Sequence, residues 1–182
     1  MSRFVKWGLI ALLFLAVIYA VSRHDRYGCA SSEKCPDDLV SAAGNASWAK
    51  ARIASLSEKG GADALLFTDA DQSGRAIEKG DGTDYDKARS YARQYLSLKG
   101  ISADEPAGHQ VAEYVETKAA TYMRENDIEF GVLVASSSRA GCAKASGVGC
   151  RAMSAGILPR GSTLVVWSPA AHDTVHGTAT GG

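Results

Sequence analysis

Between Tyr114 and Ser137 the hydrophobic period of the chain changes, and this change constrains the fold more than any other stretch. YVETKAATYMREN, Tyr114 to Asn126, has helical spacing. Ala112, Glu116, Ala119, Ala120 and Met123 are linked by steps of three and four residues, so one face can pack on a core. Lys118, Arg124 and Glu125 are expected on the wetter side. FGVLVASS, Phe130 to Ser137, then reads as a short apolar strand. Glu116 sits in the first turns of the helix. A carboxylate there is either a solvated helix-start residue or a buried general acid/base.

The segments before this helix have the same clarity of period. SWAKARIASLSE places Trp48, Ile53 and Leu56 at roughly helical spacing, with Ser47 as candidate N-cap and Gly60 and Gly61 as the stop. ALLFTDA reads as a strand by its apolar run and GRAIEKG as a second by alternation. DADQSG joins them as a hairpin turn. GDGTDY is a polar loop that lacks the spacing and closing glutamate of an EF-hand. Asp84 is expected to cap YDKARSYARQYLSLKG, with Ala88, Tyr91, Ala92 and Tyr95 on one side and Gly100 as the stop. After the 130–137 strand comes a short helix, then a last strand in ILPRGSTLVVW. The order helix, strand, strand, helix, helix, strand, short helix, strand predicts an α/β fold, a three-layer α-β-α sandwich. A chain of 182 residues can build one such domain and not two.

Residues 1–22 are set apart as a signal peptide or membrane anchor. Arg3 and Lys6 precede an apolar run of fifteen residues, Trp7 to Val21. A spanning helix needs about 20, and Ala20-Val21-Ser22 resembles a cleavage site. Arg23 and Arg26 also permit an uncleaved anchor, so the domain is expected to be secreted, periplasmic or held at the inner membrane. Residues 23–46 read as a linker, and within it Cys29 and Cys35 are placed for a small disulfide loop after export. Residues 47–169 form the expected domain. Residues 170–182 are small and polar and read as a disordered tail.

Cys142 and Cys150 flank the Gly-rich spacer AKASGVG. Such a spacer can fold back so that both sulfurs face one zinc ion, and it can equally close a disulfide. A position near a helix N-terminus would favour the Cys150 thiolate. A helix bearing a glutamate, then a strand, then paired cysteines opening another helix is the layout of a zinc nucleoside or nucleobase deaminase.

The runs ETKAATYMREN, GC before a short helix, and ILPRGSTLVVWSP resemble the bacterial toxin deaminases related to the double-stranded-DNA cytosine deaminase. The resemblance covers roughly the last 120 residues before the tail. It implies the cytidine-deaminase-like sandwich, a bound zinc, Glu116 as the catalytic proton carrier, and Cys142 and Cys150 as metal ligands. Where that family has a histidine ligand, two residues before the glutamate, this chain has Tyr114. His109 lies seven residues before Glu116, about 10 Å along a continuous helix. It could join the site only if the chain is not helical before about Ala112.

The formal net charge is zero, so no global basic balance points to nucleic acid. After Arg26 there are 16 Lys and Arg against 19 Asp and Glu, a net of −3. Yet no acidic residue lies between Phe130 and His172, a span that holds Arg139, Lys144, Arg151 and Arg160. Arg139, Lys144 and Arg151 are therefore candidate phosphate-binding residues beside the cysteines. The expected partners are a nucleic acid or nucleotide substrate, the membrane through residues 1–22, and an immunity protein. A monomer is expected. The contrasting expectation is a degenerate deaminase fold that binds a partner or nucleotide without chemistry.

Overall fold

The computed structural model of the chain describes residues 27, 29, 35–59, 62–82, 84–102, 111–137 and 149–180. Helix α1, Leu39–Ala43, starts at Asp38, whose Oδ1 accepts from the Ser41 amide. Helix α2, Ala46–Lys59, starts two residues earlier than a cap at Ser47 implies. Its cap is Asn45, whose Oδ1 accepts from the Trp48 amide at 3.0 Å, and not Ser47. Strands β1, Ala64–Phe67, and β2, Arg75–Ile77, form the expected hairpin. Helix α3, Tyr85–Leu98, begins after Asp84, which makes no side-chain cap bond. The Asp84 carboxylate instead accepts from Arg75 at 3.0 Å. Helix α4, Val115–Glu125, strand β3, Phe130–Ala135, helix α5, Cys150–Ile157, and strand β4, Thr163–Trp167, follow as the sequence predicts.

Strand β5, His172–His176, lies in the segment expected to be a disordered tail. All five of its residues pair antiparallel with β4, Val175 is buried, and the His172 ring stacks on Trp167 at 3.8 Å. Main-chain pairing does not require apolar side chains, so HDTVH carries little strand signal. The expected linker is also partly built into the fold. It contains α1, and Tyr27 is buried, with its carbonyl accepting from Trp48 Nε1 and from an Arg52 guanidinium nitrogen. Cys29 and Cys35 form the expected disulfide. The apolar run of residues 7–21 lies outside the described residues. Among those described, no helix is long and apolar enough to cross a membrane.

The sheet order is β2-β1-β3-β4-β5, with β3 and β4 parallel and every other neighbouring pair antiparallel. Strand residues alternate between two cores, as a period of two requires. Ala64, Leu66, Leu133, Ala135, Leu164 and Val166 face α3, α4 and α5. Phe67, Val132, Val134 and Val165 face α1 and α2. The result is a mixed five-stranded sheet between two helical layers, as the order of elements predicts. Gly131 lets α4 approach closely, because a Cβ there would stand 2.9 Å from Met123 Sδ.

Topology places the site. Helix α4 leads into the start of β3, so its own N-terminus lies toward the carboxyl end of that strand. Helix α5 leaves the carboxyl end of β3 and returns to the start of β4. Both helix N-termini therefore meet at the carboxyl end of the parallel pair, where open α/β sheets form ligand crevices.

Candidate active site

Helix α4 is buried nearly all round: every residue from Val115 to Thr121 is inside. Glu116 is 6% exposed, so it is a buried carboxyl group and not a solvated helix-start residue. Lys118 is a correction to the expected wet side. It is fully buried, and its Nζ donates to the Glu78 carbonyl at 2.8 Å. Burial pushes its pKa down, against the opposing pull of the carboxylates of Asp84, Glu78, Asp81 and Asp63. This bond ties α4 to the end of β2, two residues after Glu116. At the other end of α4, Glu125 accepts from Lys87 Nζ and the Tyr91 hydroxyl of α3. Those two bonds hold the Glu125 carboxyl below the usual carboxylate range. Each bond in turn is the main cause that raises the pKa of its donor, Lys87 or Tyr91.

A cavity of about 290 Å³ opens beside Glu116. Its walls bring together three expected site residues, Glu116, Cys150 and Arg151, with Ser154, His172 and Asp173. Val166 and Val175 line its apolar side. Arg151 Nε stands 3.5 Å from Asp173 Oδ2, and its terminal nitrogen donates to the Thr174 carbonyl at 3.2 Å. This expected phosphate-binding residue is thus engaged with β5, where it fastens α5 to the strand. Arg160 follows the far end of α5 and is not among the described residues that line the cavity.

Tyr114 precedes α4 as its N-cap residue, in extended conformation. Its ring is half-buried, with Lys79 Nζ 5.6 Å from the centroid. Tyr114 lines a second cavity of about 470 Å³ together with Asp63, Lys79, Ser136 and Glu116. Glu116 therefore stands on the walls of both spaces. Cys142, His109, Arg139 and Lys144 lie outside the described residues.

The sequence matches the model of the SCP1.201-like deaminases over residues 33–182. The chain belongs to the SCP1.201-like deaminase family. Comparison with curated proteins and with solved structures finds no match. The family match begins upstream of α1 and runs through β5, so it takes in residues 33–46 and 170–182 beside the expected 47–169 domain.

Deaminase folds commonly hold zinc, and the donors on view do not fit it. Cys150 is disulfide-bonded, so its sulfur is not a thiolate. The family's histidine position carries a phenol, a poor zinc ligand. Among the described residues no group of three or more His, Cys, Asp and Glu side chains could hold a metal ion.

Sequence reasoning missed Ser154, His172 and Asp173. Ser154 lies one helical turn after Cys150, a spacing that puts both on one face of α5. That spacing was a legible signal. His172 and Asp173 had none, because both lie in the segment taken for a tail.

Proposed function

We propose that this family member is a hydrolytic deaminase of a nucleobase in nucleic acid, cytosine favoured, of the bacterial toxin type. The observation that supports this is the position of Glu116: buried, at the start of α4, on the wall of the 290 Å³ cavity. That volume lies at the low end of small-molecule pockets, about 300–1,000 Å³, and suits a base better than a whole nucleotide. In the reaction, water replaces the amino group of the base and ammonia leaves. Glu116 takes a proton from the water that attacks the amine-bearing ring carbon, C4 in cytosine. It delivers protons to the ring nitrogen and to the departing ammonia.

Export or membrane retention through residues 1–22, and an immunity protein as partner, belong to the same reading. They rest on the apolar run from Trp7 to Val21 and on the toxin resemblance.

Two observations favour a second reading, a deaminase fold that binds a nucleobase without turnover. Tyr114 stands at the histidine position, and the Cys150 sulfur is in a disulfide. One experiment separates the two. Conversion of cytosine to uracil or of adenine to hypoxanthine, with ammonia release, is measured on single- and double-stranded DNA, RNA and nucleosides, with and without zinc and a dithiol reductant. Turnover by wild type that falls at least about 100-fold in Glu116→Gln, with the unfolding midpoint kept, supports the enzyme. No turnover by wild type under any of these conditions supports the binding protein. Equal turnover by both proteins removes Glu116 from the chemistry.

A further inference from the structure

Buried hydroxyls without a hydrogen-bond partner are uncommon in folded proteins. Among the described residues two side-chain hydroxyls meet that description, Thr117 Oγ1 and Ser154 Oγ. Both residues are 0% exposed. Thr117 lines neither cavity beside Glu116, but Ser154 lines the smaller one. The same lining carries Val166, Val175 and Ala171 as apolar wall, with Glu116, Cys150, Arg151, His172 and Asp173 as its other members. An apolar space with a few placed polar groups is the usual form of a small-ligand site.

We propose that Ser154 Oγ is a ligand-binding group of this cavity, which hydrogen-bonds the polar edge of a nucleobase whose reacting atoms lie against Glu116. The inference rests on the nucleobase reading above and adds a residue to it. Helix α5 carries Ser154 four residues after Cys150, so the hydroxyl projects from the same face as the sulfur. Its neighbours leave it unpaired within the protein, and a group on the ligand supplies the missing partner. A hydroxyl both donates and accepts, so it can take a ring carbonyl or an exocyclic amine. Ser154 therefore holds a base without choosing between cytosine and adenine.

The test is Ser154→Ala in the full-length chain, read in two ways. The first is the unfolding midpoint without ligand. The second is affinity by calorimetry for cytidine, adenosine and a short single-stranded oligodeoxynucleotide. An unpaired hydroxyl contributes nothing to the empty protein, so the midpoint is expected to match or exceed that of wild type. Affinity for whichever probe wild type binds is expected to fall roughly 3- to 10-fold, the value of one uncharged hydrogen bond. A lower midpoint in the empty variant overturns the proposal, since it shows the hydroxyl paired inside the fold. Unchanged affinity also overturns it, because a water then serves the hydroxyl, while the nucleobase reading stands. Failure of wild type to bind any probe removes the nucleobase reading and this role together.

Discussion

Lys118 offers the sharpest test of how the helix that carries Glu116 is held. Lys118→Ala deletes three methylenes and the ammonium from a fully buried side chain. At about 0.8 kcal/mol per buried methylene, the stem contributes about 2.4 kcal/mol. The bond from Nζ to the Glu78 carbonyl adds about 1.5–3 kcal/mol, as a hydrogen bond from a charged donor. Desolvation of the ammonium cancels part of that, so the expected net cost is about 3–4 kcal/mol. Lys118→Met keeps most of the stem and drops the charge with its desolvation, so its expected cost is about 1 kcal/mol. Urea unfolding with the disulfides intact reads both. At a slope of about 2 kcal/mol per molar urea, the alanine variant loses about 1.5–2 M in midpoint and the methionine variant about 0.5 M. A cost below about 1 kcal/mol for alanine would refute the burial argument. Equal costs for the two variants would show that the charge, not the stem, holds the helix. The pH dependence follows from the same burial. The folded pKa of Lys118 is lowered, so the folded state binds this proton less tightly than the unfolded state does. Stability therefore rises as pH rises from the folded value to the ordinary lysine value of about 10.4, and Lys118→Met abolishes that rise.

Two further outcomes follow from the site and its anchors. The Glu125 carboxyl, held low by Lys87 and Tyr91, lends stability above the unfolded carboxyl pKa of about 4.3 and loses it as pH falls through the folded value. The gap in thermal midpoint between wild type and Glu125→Gln should therefore close on acidification, and a gap that persists at the lowest pH refutes the assignment. Protein purified without reductant should carry well under one equivalent of zinc by elemental analysis. One zinc per chain in that preparation would overturn the argument from the Cys150 disulfide and Tyr114.

The long periodic segments were legible because their periods are unambiguous. The central helix, the hairpin and the apolar strands β3 and β4 all stand within a few residues of their expected bounds. Lys118 was misjudged because a lysine at a helix position says nothing about a carbonyl forty residues upstream that will accept from it. Strand β5 was missed because its stability comes from pairing with β4 and from the Trp167 stack, neither of which marks its own residues. The site was half legible. Glu116 and Cys150 could be named because each opens a helix, and the order of elements brings those openings together. The opposite wall could not be named, since it comes from the unrecognised strand.

Among the described residues the sheet ends at β5, a strand with a neighbour on one side only. Open strand edges invite pairing with a strand from another molecule. Here the Arg151 guanidinium occupies the Thr174 carbonyl and lies against Asp173, while His172 and His176 stand exposed on the same strand. Charge at an edge is a common defence against such pairing. The Arg151–Asp173 ion pair thus belongs both to the lining of the cavity and to this edge strand. A substitution at Arg151 or Asp173 chosen to alter ligand binding would change the tendency to aggregate as well.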